Sequence, residues 1–188
     1  MKRTLCAVGL CWALAASAAA AQPEAATTAE PALRDAVEQA VWPGDIVQAA
    51  DRYLSAYPTG AGAAAVQSLR DRAAGSWRLL RSSEVRLYRS AFAAQDPALE
   101  QDLREAALGD RAAAVRLAQA SRAYDEAHGT QRYVGWLQFA ALLGDERASY
   151  ALALHFRRTG QPVLAAHYEA LALALGYQPA VALDNVRK

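Results

Sequence analysis

The apolar residues of this chain repeat with the period of an α-helix, and alternating β-branched runs of the kind that form strands do not occur. Between residues 63 and 80, for example, Val66, Leu69, Ala73 and Trp77 fall on one helical face. Proline, glycine and capping residues separate the helical stretches. The pattern therefore predicts an all-α protein whose helices lie near residues 32–41, 46–56, 63–80, 97–108, 110–126, 131–143, 145–158, 161–175 and 178–187.

The stretch between the third and the next of these helices is predicted to be helical as well. Ser82 or Ser83 can cap this additional helix, and its apolar residues include Val85 and Phe92. Tryptophan is the largest apolar side chain, and we interpret the tryptophans beyond residue 21 as core residues rather than ligand platforms. They are Trp42, Trp77 and Trp136.

A short phrase recurs three times in the C-terminal half. It reads Ala-Ala-Leu-Gly-Asp at 106–110, Ala-Leu-Leu-Gly-Asp at 141–145 and Leu-Ala-Leu-Gly-Tyr at 173–177. Its glycines lie 35 and then 32 residues apart, and each is followed four residues later by alanine. A period of about 34 residues with small residues in fixed places indicates a solenoid of antiparallel helix pairs.

The residues around each glycine have a structural explanation. Trp136, Ala140 and Gly144 follow one another at a spacing of four, which places them on one helix face. The aromatic ring fills the gap between helices, the alanine permits a close approach, and the glycine can adopt the left-handed conformation that ends a helix. Asp110 and Asp145 are then expected to cap the following helices.

On these residues the chain resembles the Sel1-like repeat family, relatives of the tetratricopeptide repeats. One repeat matches at Trp136, Ala140, Ala141 and Gly144, and a second at Tyr168, Ala172 and Gly176, over about residues 97–188. The departures are Gln101 in an aromatic position, Pro162 in place of a loop glycine, and no paired cysteines in the repeats. The resemblance implies an α-α superhelix and an adaptor or regulator that binds another protein.

The N-terminus has the layout of a secretory signal peptide. Lys2 and Arg3 precede an apolar run that is shorter than the roughly 20 residues of a membrane span, and small residues close it at Ala21. Both cysteines, Cys6 and Cys11, fall inside this segment. We expect cleavage, no stable membrane insertion afterwards, and localisation in the periplasm of a Gram-negative bacterium.

The predicted organisation is a signal peptide at 1–21, a flexible leader at 22–30, a helical segment similar to tetratricopeptide repeats at 31–94, and Sel1-like repeats at 95–188.

The charges do not indicate a nucleic-acid-binding protein, because 18 basic residues face 19 acidic ones once Lys2 and Arg3 are removed. Locally the charges are uneven. Residues 70–89 carry a net charge of +4, and residues 96–110 carry −4. Two interpretations stay open: neighbouring helices pair these charges at a solvated surface, or the basic block docks a partner.

No arrangement typical of catalysis, metal binding or cofactor binding is found in the sequence. His128, His155 and His167 lack the i, i+4 spacing of a helical zinc site, and phosphate-binding and serine-hydrolase motifs are missing. The neighbouring acids Asp125 and Glu126 could in principle hydrolyse a glycoside, although carboxylates at a helix end are more often solvated. We therefore predict no catalytic residue, no metal and no cofactor.

The resulting functional hypothesis is a periplasmic repeat protein that binds another protein. In such repeats the first helix of each pair tends to line the concave surface. We therefore take as predicted contacts the polar residues of these helices that lie away from the packing positions. The predicted contacts are Arg116, Gln119, Arg147, His155 and Arg158. The alternative hypothesis is a protein that binds or processes peptidoglycan, with the basic block at 70–89 meeting an anionic glycan.

Overall fold

The computed structural model describes residues 23–93 and 96–178, so the predicted signal peptide and nearly all of the predicted final helix lie outside the described residues. Within these ranges every regular element is helical, which confirms the predicted all-α class. The α-helices are α1 Pro23–Gln39, α2 Pro43–Ala56, α3 Ala63–Leu80, α4 Glu100–Ala107, α5 Arg111–His128, α6 Arg132–Leu142, α7 Glu146–Arg158 and α8 Pro162–Ala174. Short 3-10 turns occupy Arg89–Phe92 and Pro97–Leu99.

Consecutive helices fold back on one another. From α4 to α8 each connection is three residues long, and such short connections join antiparallel neighbours. Each helix from α1 to α3 and from α4 to α8 packs against the next one in chain order, while α3 also contacts α4 and α6. One continuous hydrophobic core results, running from Val37 in α1 to Tyr168 in α8.

The connections after α4 and α6 have the conformation that the recurring phrase predicts. Gly109 and Gly144 have φ angles of 88° and 89°, in the left-handed region. Asp110 then caps α5 by accepting a hydrogen bond from the backbone N–H of Ala113 at 2.8 Å. Asp145 caps α7 in the same way, through Ala148 at 2.7 Å. Glycine ends one helix and aspartate begins the next, as expected.

The first helix begins earlier than predicted. Residues 23–30, expected to be a flexible leader, form the start of α1, and Pro31 lies inside this helix instead of opening it. Alanine and glutamate favour helix in this stretch. A tertiary contact adds to this preference, because the Glu30 carboxylate accepts a hydrogen bond of 2.7 Å from the hydroxyl of the buried Tyr53. This bond also raises the pKa of Tyr53.

The helix predicted from Ser82 onward is wrong. Residues 85–88 belong to no helix, the backbone of Tyr88 is extended, and only Arg89–Phe92 form a short 3-10 turn. Val85 and Leu87 are buried, whereas the alternate residues Arg86 and Tyr88 are exposed. The side chain of Gln138 in α6 accepts a hydrogen bond of 3.0 Å from the Arg86 backbone N–H. Tertiary contacts thus replace the helical ladder, and we call residues 82–88 the crossing segment.

Aromatic side chains connect the N-terminal and C-terminal halves. The ring of Trp42 packs edge-on against Trp77 and Phe92, with centroids 5.3 and 4.9 Å away. Phe92 in turn lies 4.8 Å from the ring of Trp136. Trp136 is buried, which confirms its predicted core role, and the half-buried Trp42 and Trp77 pack around the same cluster.

Close packing at Gly135 gives a testable prediction. A Cβ atom at this position in α6 would lie 2.7 Å from the Arg86 carbonyl oxygen of the crossing segment. Gly135→Ala is therefore expected to lower the free energy of unfolding by about 1–3 kcal/mol through overpacking. Urea-induced unfolding followed by circular dichroism measures the change.

Gly75→Ala in α3 is the matched control. No atom lies within 4 Å of a Cβ placed there, so the loss of backbone entropy in the unfolded chain should raise stability by about 0.5–1 kcal/mol. Equal effects of the two substitutions would contradict the close contact between α6 and the crossing segment.

Candidate functional site

A groove of about 1030 Å³ lies at one end of the helices α5 to α8. The last turns of α5 and α7 and the first turns of α6 and α8 line it, and the crossing segment forms a further wall. Its volume is in the range of binding pockets in proteins. Apolar and aromatic lining comes from Tyr133, Val134, Phe156, Val163, Leu164 and Tyr168, and charged lining from Glu84, Arg86, Arg122, Asp125, Glu126 and Arg158.

Asp125 has a structural role in this groove. Its carboxylate accepts hydrogen bonds from the backbone N–H groups of Arg132 and Tyr133, at 3.0 and 2.8 Å, and from the hydroxyl of Thr130. The side chain therefore caps the N-terminus of α6 from the preceding helix. The neighbouring Glu126 is exposed and has no hydrogen bond to a described residue. Of this pair, the Asp125 carboxylate is thus engaged in capping α6, and the Glu126 carboxylate is exposed.

Arg122 is held against an aromatic ring. Its guanidinium lies 4.5 Å from the ring centroid of Tyr133 and donates a hydrogen bond of 2.7 Å to the Tyr133 hydroxyl. A second arginine–tyrosine pair lies where α5 meets α6: the Arg132 guanidinium is 4.1 Å from the ring centroid of Tyr124. Such cation–π contacts order both partners. These two contacts join the end of α5 to the start of α6.

His155 is half-buried in the groove and lies edge-on to Phe156, with ring centroids 5.3 Å apart. Burial lowers the pKa of His155, and the charge of Arg158 lowers it further. The imidazole is therefore neutral at pH 7 and offers both a donor and an acceptor nitrogen. Burial also raises the pKa of Tyr168, which keeps that phenol protonated.

Two cations of the groove are available to a ligand. Among the described residues, the side chains of Arg86 and Arg158 have no hydrogen-bond or ion-pair partner, and both are exposed. They lie on different elements, Arg86 on the crossing segment and Arg158 at the end of α7. The groove thus combines two unpaired guanidinium groups, the exposed carboxylates of Glu84 and Glu126, a neutral histidine and an apolar lining.

The structure separates the five predicted contact residues. His155 and Arg158 both line the groove, whereas Gln119 and Arg147 are exposed on α5 and α7 outside it. Arg116 is exposed but already paired within the chain, because its guanidinium binds the carboxylates of Asp102 and Glu105 in α4 at 2.7 and 2.9 Å. Sequence reasoning missed the crossing segment, although the alternation of Val85 and Leu87 with polar neighbours was a signal of extended chain.

Much of the basic block at 70–89 is used within the fold. Arg70 binds Asp51 of α2 at 2.6 Å, and Arg89 binds Asp45 at 2.5 Å. Arg72 donates to the carbonyl oxygen of Leu108 at the end of α4. Two acids of the acidic block, Asp102 and Glu105, pair with Arg116. These contacts agree with the interpretation that neighbouring helices pair their charges at the surface. The ion pairs join each block to other parts of the described chain, not the two blocks to each other.

Within residues 23–93 and 96–178, no helix is long and apolar enough to cross a membrane. The same part of the chain holds no group of three or more histidine, cysteine, aspartate or glutamate residues placed to bind a metal ion.

No protein-family model, no curated protein and no solved structure matches this chain. Its function is therefore inferred from the groove and the repeated turns.

The capping role of Asp125 can be tested by mutation. Asp125→Ala should lower the free energy of unfolding by about 1–2 kcal/mol, because it leaves backbone N–H groups at the start of α6 without acceptors. Glu126→Ala, at the exposed neighbour, should change it by less than about 0.5 kcal/mol. Thermal and urea unfolding measure both, and equal losses would show that Asp125 has no special capping role.

Stability should also depend on the protonation of His155. Because the folded state holds its pKa below the value of the unfolded chain, the unfolded chain binds the proton more readily, and stability falls as the pH drops below about 6.5. His155→Gln should therefore lose less stability between pH 8 and pH 5 than the original protein. Urea unfolding at both pH values measures the difference, with His167→Gln at the exposed histidine of the groove as control. An unchanged loss in His155→Gln would contradict the assignment.

Proposed function

We propose that this protein is an exported helical-repeat protein that binds a short segment of another protein in the groove, as an adaptor or regulator without catalytic activity of its own. The observation that carries the proposal is the combination of an apolar lining with two unpaired arginines, Arg86 and Arg158, on two different elements of the same groove. The resemblance to Sel1-like repeats supports the same class of function.

The repeated turn supports an α-α superhelix of the tetratricopeptide and Sel1-like type. The turns at Gly109 and Gly144 share their φ angles and their aspartate caps, and each leads into a helix whose fourth residue after the glycine is a buried alanine. A helix pair that repeats with the same turn must stack by a similar rotation each time. Solenoids of this kind present extended binding surfaces.

The chemistry of the groove indicates the kind of segment it binds. The two guanidinium groups attract carboxylates, and Phe156, Val163 and Leu164 offer apolar surface for an aliphatic or aromatic side chain. The neutral His155 can donate to or accept from a peptide group. We therefore expect a peptide that carries acidic residues next to apolar ones.

The place of action follows from the N-terminal residues, which lie outside the described part of the chain. If residues 1–21 act as a signal peptide, the protein works in the periplasm and its partner is an envelope or secreted protein. The alternative, binding of peptidoglycan through residues 70–89, has less support because Arg70, Arg72 and Arg89 are already engaged within the fold.

The test selects peptides from a random library displayed on phage against the immobilised protein. Enriched peptides should contain acidic and apolar residues, and their dissociation constants are measured by fluorescence anisotropy. Arg158→Glu should weaken binding about 10-fold or more, because it reverses a charge that faces the peptide.

Arg147→Glu is the matched control, since it makes the same change on the same helix, α7, outside the groove. It should leave the dissociation constant within about twofold. The proposal fails if no peptide is enriched or if both variants bind equally well. Retention of the protein on isolated peptidoglycan, unaffected by Arg158→Glu, would instead support the alternative.

A further inference from the structure

Two of the three histidines of this chain line the groove, and both lack a hydrogen-bond partner among the described residues: His155 and His167. The third, His128, lies outside the groove, where its Nδ1 atom is 2.9 Å from the carbonyl oxygen of Tyr124. Among the described residues, Ser76 Oγ is the one buried side-chain oxygen or nitrogen without a partner. The nitrogen atoms of the half-buried His155 are therefore accessible from the groove, and a ligand can bind them.

The surroundings of His155 oppose its protonation in the free protein. Its ring lies edge-on to Phe156 and to Tyr133 of α6, with centroids 5.3 and 6.3 Å apart. Arg158 follows three residues later on the same helix, α7. Burial lowers the pKa of His155, and the charge of Arg158 lowers it further. A protonated imidazole at this place has a neighbour of the same charge and no carboxylate of the described residues as an ion-pair partner.

The charged side chains that α5 brings to the groove do not supply this missing countercharge. Arg122 is held against the ring and the hydroxyl of Tyr133 on α6. Asp125 accepts hydrogen bonds from the first backbone N–H groups of α6. Glu126 is exposed, so that water and salt screen its charge. None of these groups is among the causes that shift the pKa of His155.

The crossing segment and α8 bring further titratable groups to the groove. Burial raises the pKa of Tyr168 on α8, and the charge of Glu84 raises it further, so Glu84 acts on that phenol. Arg86 and His167 are exposed. Among the described residues, Arg158 is thus the charge that acts on the imidazole of His155, and a bound anion would change this balance.

We propose that protonated His155 and Arg158 together hold one carboxylate of the bound peptide, so that the groove binds acidic segments more tightly as the pH falls. The proposal rests on the proposed function, because it names the contact through which the groove would recognise an acidic residue. Residues three apart on a helix are neighbours on its surface, so both side chains can reach one carboxylate. Both would then donate charge-assisted hydrogen bonds to it.

The direction of the pH effect follows from linkage between proton and peptide binding. A carboxylate beside His155 raises the pKa of this imidazole in the complex above that in the free protein. Binding therefore takes up a proton at any pH between these two values. The gain in affinity is complete below the pKa of the free protein, and it disappears as the pH rises through the pKa of the complex.

The probe is an acidic peptide enriched in the display selection, synthesised with blocked termini and labelled with tetramethylrhodamine. Fluorescence anisotropy gives its dissociation constant at pH 8 and at pH 5.5. This constant should be about 3- to 10-fold lower at pH 5.5, because a charge-assisted hydrogen bond replaces a neutral one. The matched peptide has asparagine and glutamine in place of aspartate and glutamate, and its dissociation constant should change by less than about twofold.

The variant His155→Gln keeps a polar side chain but removes the group that takes up the proton. Its ratio of dissociation constants at the two pH values should fall below about twofold. His128→Gln is the matched control outside the groove and should keep the ratio of the original protein. Circular dichroism at both pH values verifies that each variant is folded. Calorimetry in two buffers of different ionisation enthalpy should show proton uptake on binding, and His155→Gln should lose it.

The outcomes separate this proposal from the proposed function. If no peptide is enriched in the selection, the proposed function itself fails. If the acidic peptide binds equally well at both pH values, or if His155→Gln keeps the pH dependence, the groove binds peptides but this proposal is overturned. Loss of the dependence in His167→Gln alone would also overturn it. Loss with His155→Gln and with the uncharged peptide, but not with His128→Gln, supports the proposal.

Discussion

The three-residue turn between successive helices is the constraint on which the C-terminal half depends. In each of these turns one glycine adopts the left-handed conformation, which glycine does without steric cost. The aspartate that follows satisfies backbone N–H groups at the start of the next helix. These two residues fix the direction in which each helix leaves, and the aromatic and alanine side chains can then pack. The groove exists because the intervening turns, at Gly129 and Gly160, end the first helix of each pair on the same side of the molecule.

Several arginines donate hydrogen bonds to backbone carbonyl groups at the ends of other helices. The last carbonyl groups of a helix have no partner within it, and here guanidinium groups from other elements bind some of them. Arg104 donates to the carbonyls of Val37 and Ala40 at 3.2 and 2.7 Å, and Arg111 donates to that of Gly144 at 3.0 Å. Burial lowers the pKa of Arg104, although a guanidinium stays charged at neutral pH. Much of the arginine content is thus structural, and the arginines that remain unpaired in the groove are correspondingly informative.

The candidate site was only partly predictable from the sequence. His155 and Arg158 could be selected as polar residues off the packing face of a predicted helix, and both line the groove. Arg116 met the same criterion, but the acids it binds lie 11 and 14 residues earlier on α4, and helical periodicity carries no information on such pairing between helices. Arg86 was placed on a helix because its neighbours are apolar. Its place outside any helix depends on Gln138, 52 residues away, and on the absence of a side chain at Gly135.

The sequence by itself determined the helical class, the position of the turns and the residues that cap them, because these follow from backbone preferences and from contacts within a few residues along the chain. Only the tertiary structure decided that residues 23–30 join α1, that the crossing segment is not helical, and that the turn ends of four helices enclose one groove. Each of these features depends on a partner distant in the sequence: Tyr53 for Glu30, Gln138 for Arg86, and Asp125 for the first turn of α6. A buried hydrogen bond or a close backbone approach outweighs the small difference in free energy between local conformations, and no local pattern reveals where such a partner lies.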